Sequence, residues 1–348
     1  MSQIRLGLIG CGGMSQAHQA RFHQLSERLT LAAAVDVVEE RALAVKQVFP
    51  DAQTATDYRA ILEQVDAVLI ALPHHLHHPV ALDCLAAGKH VLLEKPMALN
   101  ERECLDLIAA SRAADRVLMV AYCMRYHPLV ARMKELLDER AYGEVFQVSI
   151  WTEQLTTAAP DHWSANAATL GGGQLFSHGC HYIDILLWYL GRPVQGSHLG
   201  TKSGTPWMDW EGTSNVTIEF EGGKLGYHFG TWGARGTRLG YAFHAHCSEG
   251  TLEADISHGK LIAHVGGKEQ LLLEAAPGKH LENEMAHFLD CIATGRRPLT
   301  DAPGSLQGLR VIWRLYEAEQ QHTVADLRGL GLDQIDLTPQ TKRWTGVH

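Results

Sequence analysis

Long apolar runs are missing from this sequence. No stretch approaches the ~20 residues that a bilayer-spanning helix needs. Basic blocks are missing too. Lysine and arginine number 30 against 39 acidic residues, a formal net charge of −9, and no basic–aromatic stripe marks a nucleic-acid surface. The seven cysteines are scattered and odd in number, with no Cys-x-x-Cys pair. That excludes a disulfide framework and a zinc ribbon. There is no internal repeat and no low-complexity tract. Ile4 begins a strand directly, without a cationic n-region or cleavage site, so the expectation is reduced thiols and a cytoplasmic protein. What is present is 46% hydrophobic residues in a chain of 348, enough for about two packed domains.

The organising stretch is IRLGLIGCGGMSQAH, residues 4–18. The apolar run Ile4 to Ile9 reads as a buried parallel strand. The turn Gly10-Cys11-Gly12-Gly13-Met14 leads into a helix, whose N-terminal N–H groups and dipole suit a pyrophosphate. Gly10 permits the tight turn, and Gly12 removes a side chain where phosphates approach. Ser15 stands where the third glycine of the usual fingerprint falls; it is small enough for close helix–strand packing. Leu31 to Val35 is a second apolar strand, and Asp36 follows it. An aspartate there accepts hydrogen bonds from ribose hydroxyls and repels a 2′-phosphate. Val37 and Val38 supply no cation, so NAD rather than NADP is the expected cofactor.

Strands at 67–71, 90–93 and 117–121 alternate with helices at 39–49, 80–87 and 101–114, which predicts a doubly wound parallel α/β Rossmann domain over 1–122. From 123 to 348 the pattern changes. Strands are predicted over 144–151, 214–220, 224–231, 243–254, 260–265 and 270–274, with helices at 129–138, 170–190, 280–293 and from 301 to about 320. Consecutive hairpins such as Glu221-Gly222-Gly223-Lys224 predict an α+β domain with a large, mostly antiparallel open sheet. Such a sheet needs cover on its second face, so a homodimer or homotetramer through it is expected.

The residues match a known family pattern. Gly10-x-Gly12 has His18 downstream, Pro73 and His77 follow the third predicted strand, and Ala87-Gly88-Lys89-His90-Val91 runs into Glu94-Lys95-Pro96. Arg125 with Pro128, and Gly171-Gly172-Gly173 leading to His181 and Asp184, complete the set in order. In this the chain resembles the glucose–fructose oxidoreductase / inositol dehydrogenase (Gfo/Idh/MocA) family. The resemblance implies a nicotinamide-dependent dehydrogenase of sugars, glycosides or cyclitols. Lys95 would be its catalytic lysine, with His181 as proton donor or acceptor, and Pro96 could hold a cis peptide. It also implies that Leu72, Pro73, His75, His77 and Glu94 lie near the cofactor, with His74 and His78 less involved. The chain departs from the pattern at Ser177, where many members carry aspartate, and at Cys123 and Met124.

Chemistry at a carbinol needs a base for the hydroxyl proton and a positive partner for the developing alkoxide. Lys95 can be the partner and a neutral imidazole at His181 the base. Helical spacing puts Ser177, His181 and Asp184 on one face, with His178 a quarter-turn away. Asp184 or a backbone carbonyl would orient the imidazole. Arg125 and Tyr126 are expected against a polyol at the domain join. The loop bearing His162 and Trp163 offers a ring for stacking on a sugar. Neither His178/His181 nor the four histidines at 74–78 completes a metal-ligand set, so no metal is expected. The extra histidines, His162 and His178, also suit an alternative: a glycoside hydrolase or lyase that uses NAD catalytically, by transient oxidation and elimination. Nucleic acid and membrane are not expected partners.

Overall fold

The computed structural model describes residues 3–340. Contacts divide the chain into two compact units. The first holds the chain up to Ala98, Arg102–Tyr122 and His280–Ala302; the second holds Leu99–Glu101, Cys123–Lys279 and the chain from Pro303. The segment 280–302, which the sequence assigns to a continuous second domain over 123–348, thus belongs to the first unit.

The first unit runs β1 (Ile4–Ile9), α1 (Gly13–Phe22), β2 (Leu29–Val35), α2 (Glu39–Val48), β3 (Gln53–Ala55), β4 (Ala67–Ile70), α3 (His77–Ala86), β5 (His90–Leu93), α4 (Glu101–Ala114, whose first residue counts with the second unit) and β6 (Leu118–Val120). Its six strands are parallel, in the order β3-β2-β1-β4-β5-β6. Every residue of β4 is buried, as are the last three of β5, because helices cover both faces of such a sheet. The order reverses between β1 and β4. That is where the loops leaving the two strands diverge and ligands bind in doubly wound sheets. The edge strand β3 is too short and polar to stand out in the sequence.

The second unit continues with α5 (Pro128–Asp138), β7 (Val145–Glu153), α6 (Ala167–Leu170), α7 (Cys180–Leu190), β8 (Pro193–Thr201), β9 (Thr213–Phe220), β10 (Lys224–Thr231), β11 (Tyr241–Cys247), β12 (Gly250–Asp255), β13 (Lys260–Val265) and β14 (Lys268–Glu274). Then α8 (Leu281–Thr294) returns to the first unit and packs on α1. Arg28 helps hold it there, reaching Asp290 at 2.6 Å. Finally, α9 (Ala302–Gln320, starting on the last residue of the first unit) and β15 (Ala325–Asp326) close the second unit. The nine-stranded sheet has the order β14-β13-β12-β11-β7-β10-β9-β8-β15 and is antiparallel except for β7–β10. Val148, Ile150, Val216, Ile218, Phe243 and Leu252 point to one face and are fully buried. On that face α7 crosses β7 and β10, and α5 crosses β12 and β13. The opposite face carries the ring cluster Trp151, Tyr227 and Phe229, with Leu225 and Leu271 exposed.

The single strand predicted over 243–254 is a hairpin, β11–β12, turning at Ser248-Glu249. The predicted turn at 221–224 forms, with Gly222 and Gly223 both at positive φ, the twist that tight hairpins need. The helix predicted over 170–190 is broken. After α6 the chain turns at Gly171 (φ +84°), makes one π-helical turn over Leu175–Gly179, and only then becomes α7.

Candidate active site

In the first unit the glycine turn is built as a phosphate cradle. Gly10 has φ +91°, and a Cβ there would lie 2.3 Å from the carbonyl oxygen of Ala71, so the two diverging loops touch at a point only glycine allows. A Cβ on Gly12 or Gly13 would meet nothing within 4 Å. The surface at the start of α1 is therefore open beside these two glycines, as the approach of a pyrophosphate requires. Asp36 ends β2 and takes the Cys11 N–H at 2.9 Å and the Val38 N–H at 2.9 Å. Cys11 is buried, its thiol pushed up to about 12 mainly by desolvation, so it serves as an inert filler of the turn. Met14 is half-buried at the helix start. These residues fit a dinucleotide. The sequence does not reveal Arg41, whose Nη1 comes within 3.8 Å of Asp36 Oδ1 from the first turn of α2.

The loop after β4 sorts its histidines. His75 is half-buried, and among the described residues its Nδ1 has no hydrogen-bond partner. Pro73 and Leu72 are half-buried beside it. His77 is different. It is fully buried, with Nδ1 2.7 Å from the Pro96 carbonyl and Nε2 2.9 Å from the Leu72 carbonyl. Burial holds its pKa below the ordinary imidazole value, against the opposing pull of the two carbonyls. Its ring ties the loop after β4 to the segment after β5. His78 faces Asp106, at 3.5 Å.

Lys95 leaves the end of β5 and is half-buried, joined to Pro96 by a cis peptide bond. It is held from both sides. Glu94 accepts the Lys95 N–H at 3.2 Å through Oε2, and its Oε1 meets His18 of α1 at 2.9 Å. The Pro96 carbonyl is held by His77. The backbone that carries Lys95 is therefore fixed by groups from two other segments, His18 of α1 through Glu94 and His77 at the start of α3.

In the second unit, His178 and His181 share the wall of a cavity of about 260 Å³ with Cys123, Met124, Tyr182 and Tyr241. The rings of the two histidines meet edge to face, centroids 6.1 Å apart. The Gln174 side-chain amide donates to His178 Nδ1 at 3.3 Å, while Tyr182 and Tyr241 hydroxyls each lie 3.4 Å from its Nε2. Tyr241 donates its own hydrogen to Gln154 at 2.6 Å, so its contact with His178 takes an N–H from the imidazole. Behind Tyr182 stacks His228, buried and held down to about 3 by desolvation, hence neutral.

Arg125 and Asp184 are 5% and 1% exposed and form a bidentate pair at 2.6 and 2.7 Å, with Trp188 against the guanidinium. This buried pair ties α7 to the segment that follows β6. Tyr126 is buried. Ser177 is buried in the π-helical turn, its N–H on the Gly173 carbonyl at 2.9 Å. His162 is exposed and bonded to Ser164 at 2.7 Å, and Trp163 packs on a cluster of Leu170, Met208 and Trp232. All seven cysteines are buried thiols. No helix among the described residues is long and apolar enough to cross a membrane.

Residues 4–122 match the Gfo/Idh/MocA oxidoreductase family, NAD-binding Rossmann fold, and residues 130–253 match the Gfo/Idh/MocA C-terminal domain. Inositol 2-dehydrogenase 2 of Saccharopolyspora erythraea is 29% identical over 64% of this chain and 65% of its own length. Levoglucosan dehydrogenase of Pseudarthrobacter phenanthrenivorans is 28% identical over 72% of this chain and 73% of its own. Against several such relatives the match spans less than two thirds of their length, 62% of an oxidoreductase of Formosa agariphila for example. Among solved structures, the aldose–aldose oxidoreductase of Caulobacter crescentus with glycerol superposes with a TM-score of 0.83 at 25% identity, covering 94% of this chain and all of that one. A levoglucosan dehydrogenase with NADH and levoglucosan gives 0.85 at 21% identity over the same shares, which speaks for the fold. With both family models matched in order over most of its length, the chain belongs to the Gfo/Idh/MocA family of NAD-binding oxidoreductases.

Proposed function

We propose that this protein is an NAD-dependent dehydrogenase that moves a hydride between a secondary hydroxyl of a sugar, glycoside or cyclitol and the nicotinamide. One observation carries the reading: His178 and His181, one turn apart, line a cavity on the scale of a single sugar ring, in a chain whose other unit is an NAD-binding Rossmann fold. The cofactor's nicotinamide supplies the hydride acceptor or donor. Lys95 stabilises the developing alkoxide, and His181 takes or returns the hydroxyl proton. Gly10, Gly12, Gly13 and Asp36 hold the dinucleotide. Incubating the protein with NAD and a panel of polyols, free sugars and aryl glycosides tests this: stoichiometric NADH is expected with at least one of them.

A second reading is favoured by His178. Under it, His181 abstracts the C–H that a transient ketone acidifies, with His178 beside it on the same cavity wall, and an aglycone is lost. Under that reading aryl glycosides release phenol with no net NADH. We also propose a homodimer or homotetramer formed through the open sheet face around Trp151, Tyr227 and Phe229, measurable by light scattering, and a cytoplasmic location in keeping with seven buried thiols.

A further inference from the structure

The helix that carries His178 and His181 begins in an unusual way. Its first four N–H groups would lack intrahelical partners. Here all four are taken by two residues remote in sequence. Gly173 N–H and Phe176 N–H donate to the Tyr316 hydroxyl oxygen at 3.1 and 3.2 Å. Gln174 N–H donates to the Glu211 carbonyl at 2.8 Å, and Leu175 N–H to Glu211 Oε1 at 3.1 Å. The two residues are joined, because the Tyr316 O–H donates to the same Oε1 at 2.7 Å. Glycine is required for the approach: a Cβ on Gly173 would lie 2.0 Å from Glu211 Oε2.

We propose that Glu211 and Tyr316 form a remote cap that positions the helix bearing His178 and His181, making Glu211 a positioning residue for the proposed reaction. The inference rests on the dehydrogenase reading only for its kinetic consequence. The chain has no intrinsic reason to make a π-helical turn over Leu175–Gly179, since such turns are rare and cluster at functional sites. The cap fixes the first turn, and the Gln174 and Tyr182 contacts pass that register to the His178 ring. Neither residue lines the cavity, so the effect is on geometry; a misplacement of about 1 Å can cost about a hundredfold in rate.

The test compares Glu211→Leu, Glu211→Gln and Tyr316→Phe in the full chain. With a sugar that wild type oxidises, Leu and Phe variants should lose tenfold to a hundredfold in kcat. Their NADH affinity should stay within about twofold, and Gln, which keeps an acceptor, should stay within about threefold of wild type. Retention of kcat by both the Leu and the Phe variants, or Gln as damaging as Leu, overturns the inference. If Glu211→Leu does not fold, Tyr316→Phe decides by the same criterion. If wild type turns over no sugar, the dehydrogenase reading fails separately. The imidazole resonances of His178 and His181 then decide: shifts in the Leu and Phe variants but not in Gln support the cap, and unmoved resonances overturn it.

Discussion

Replacing Glu211 by glutamine should change how stability depends on pH, in a direction the structure fixes. Desolvation is the largest influence on this carboxyl and pushes its pKa up to about 7 from 4.5; His198 and the hydrogen bonds from Tyr316 and Leu175 pull the other way without winning. His198 of β8 is the titratable ring that acts on it, and that ring is paired with Glu319 of α9 at 2.7 Å. A carboxyl whose pKa is raised on folding binds its proton more tightly in the native state. Its contribution is therefore full below the unfolded pKa and is lost as pH rises through the native one. The difference between 4.5 and about 7 corresponds to about 3 kcal/mol, of which about 2–3 kcal/mol falls between pH 5 and 8. Glutamine cannot ionise. Urea unfolding of wild type and Glu211→Gln, followed by tryptophan fluorescence, should show the variant gaining on wild type by about 2–3 kcal/mol from pH 5 to pH 8. Titrating groups that do not interact with Glu211 cancel in that difference. Parallel pH profiles for the two proteins would refute a buried, titrating carboxyl at the cap.

Further outcomes follow from the first unit. Asp36→Ser should weaken NAD binding about tenfold or more and admit NADP, because Arg41 then faces the ribose with no carboxylate beside it; an unchanged NAD/NADP ratio in kcat/KM contradicts that role. His77→Phe keeps a ring in place but removes the imidazole N–H from between the Leu72 and Pro96 carbonyls, so kcat should fall about tenfold or more, with the melting temperature also lowered. Normal turnover in a folded His77→Phe protein would show that this imidazole does not help aim Lys95.

The parts of the molecule legible in the sequence are those set by local rules. Ile4 to Asp36 shows its strand, glycine turn and acid because each residue type answers a backbone or phosphate requirement on the spot. The helix starts and the Gly222-Gly223 hairpin were legible for the same reason. What the sequence hides depends on partners far along the chain. β8 lacks clear alternation and becomes a strand by pairing with β9. The β11–β12 hairpin turns at Ser248-Glu249, which carries no glycine or asparagine signal. His77 looks like one of four equivalent histidines until Leu72 and Pro96 are found on its two nitrogens. Arg125 and Asp184 read as separate polar candidates 59 residues apart, and only the fold reveals that they neutralise each other. Glu211 and Tyr316 gave no signal at all, because capping Leu175 and Gly173 is a property of neither segment alone.

The proposed dehydrogenase reading requires that Lys95 and His181 both act in one hydride-transfer step. The most direct measurement is a kinetic cycle of wild type, Lys95→Met, His181→Asn and the double variant, with NAD and the best sugar of the panel, and NADH affinity measured alongside. Each single variant should lose about a thousandfold or more in kcat with NADH binding nearly intact. The double variant should be hardly worse than the weaker single, as for groups that act as a unit. Single variants that keep most of their turnover, or losses that simply multiply in the double variant, would contradict it.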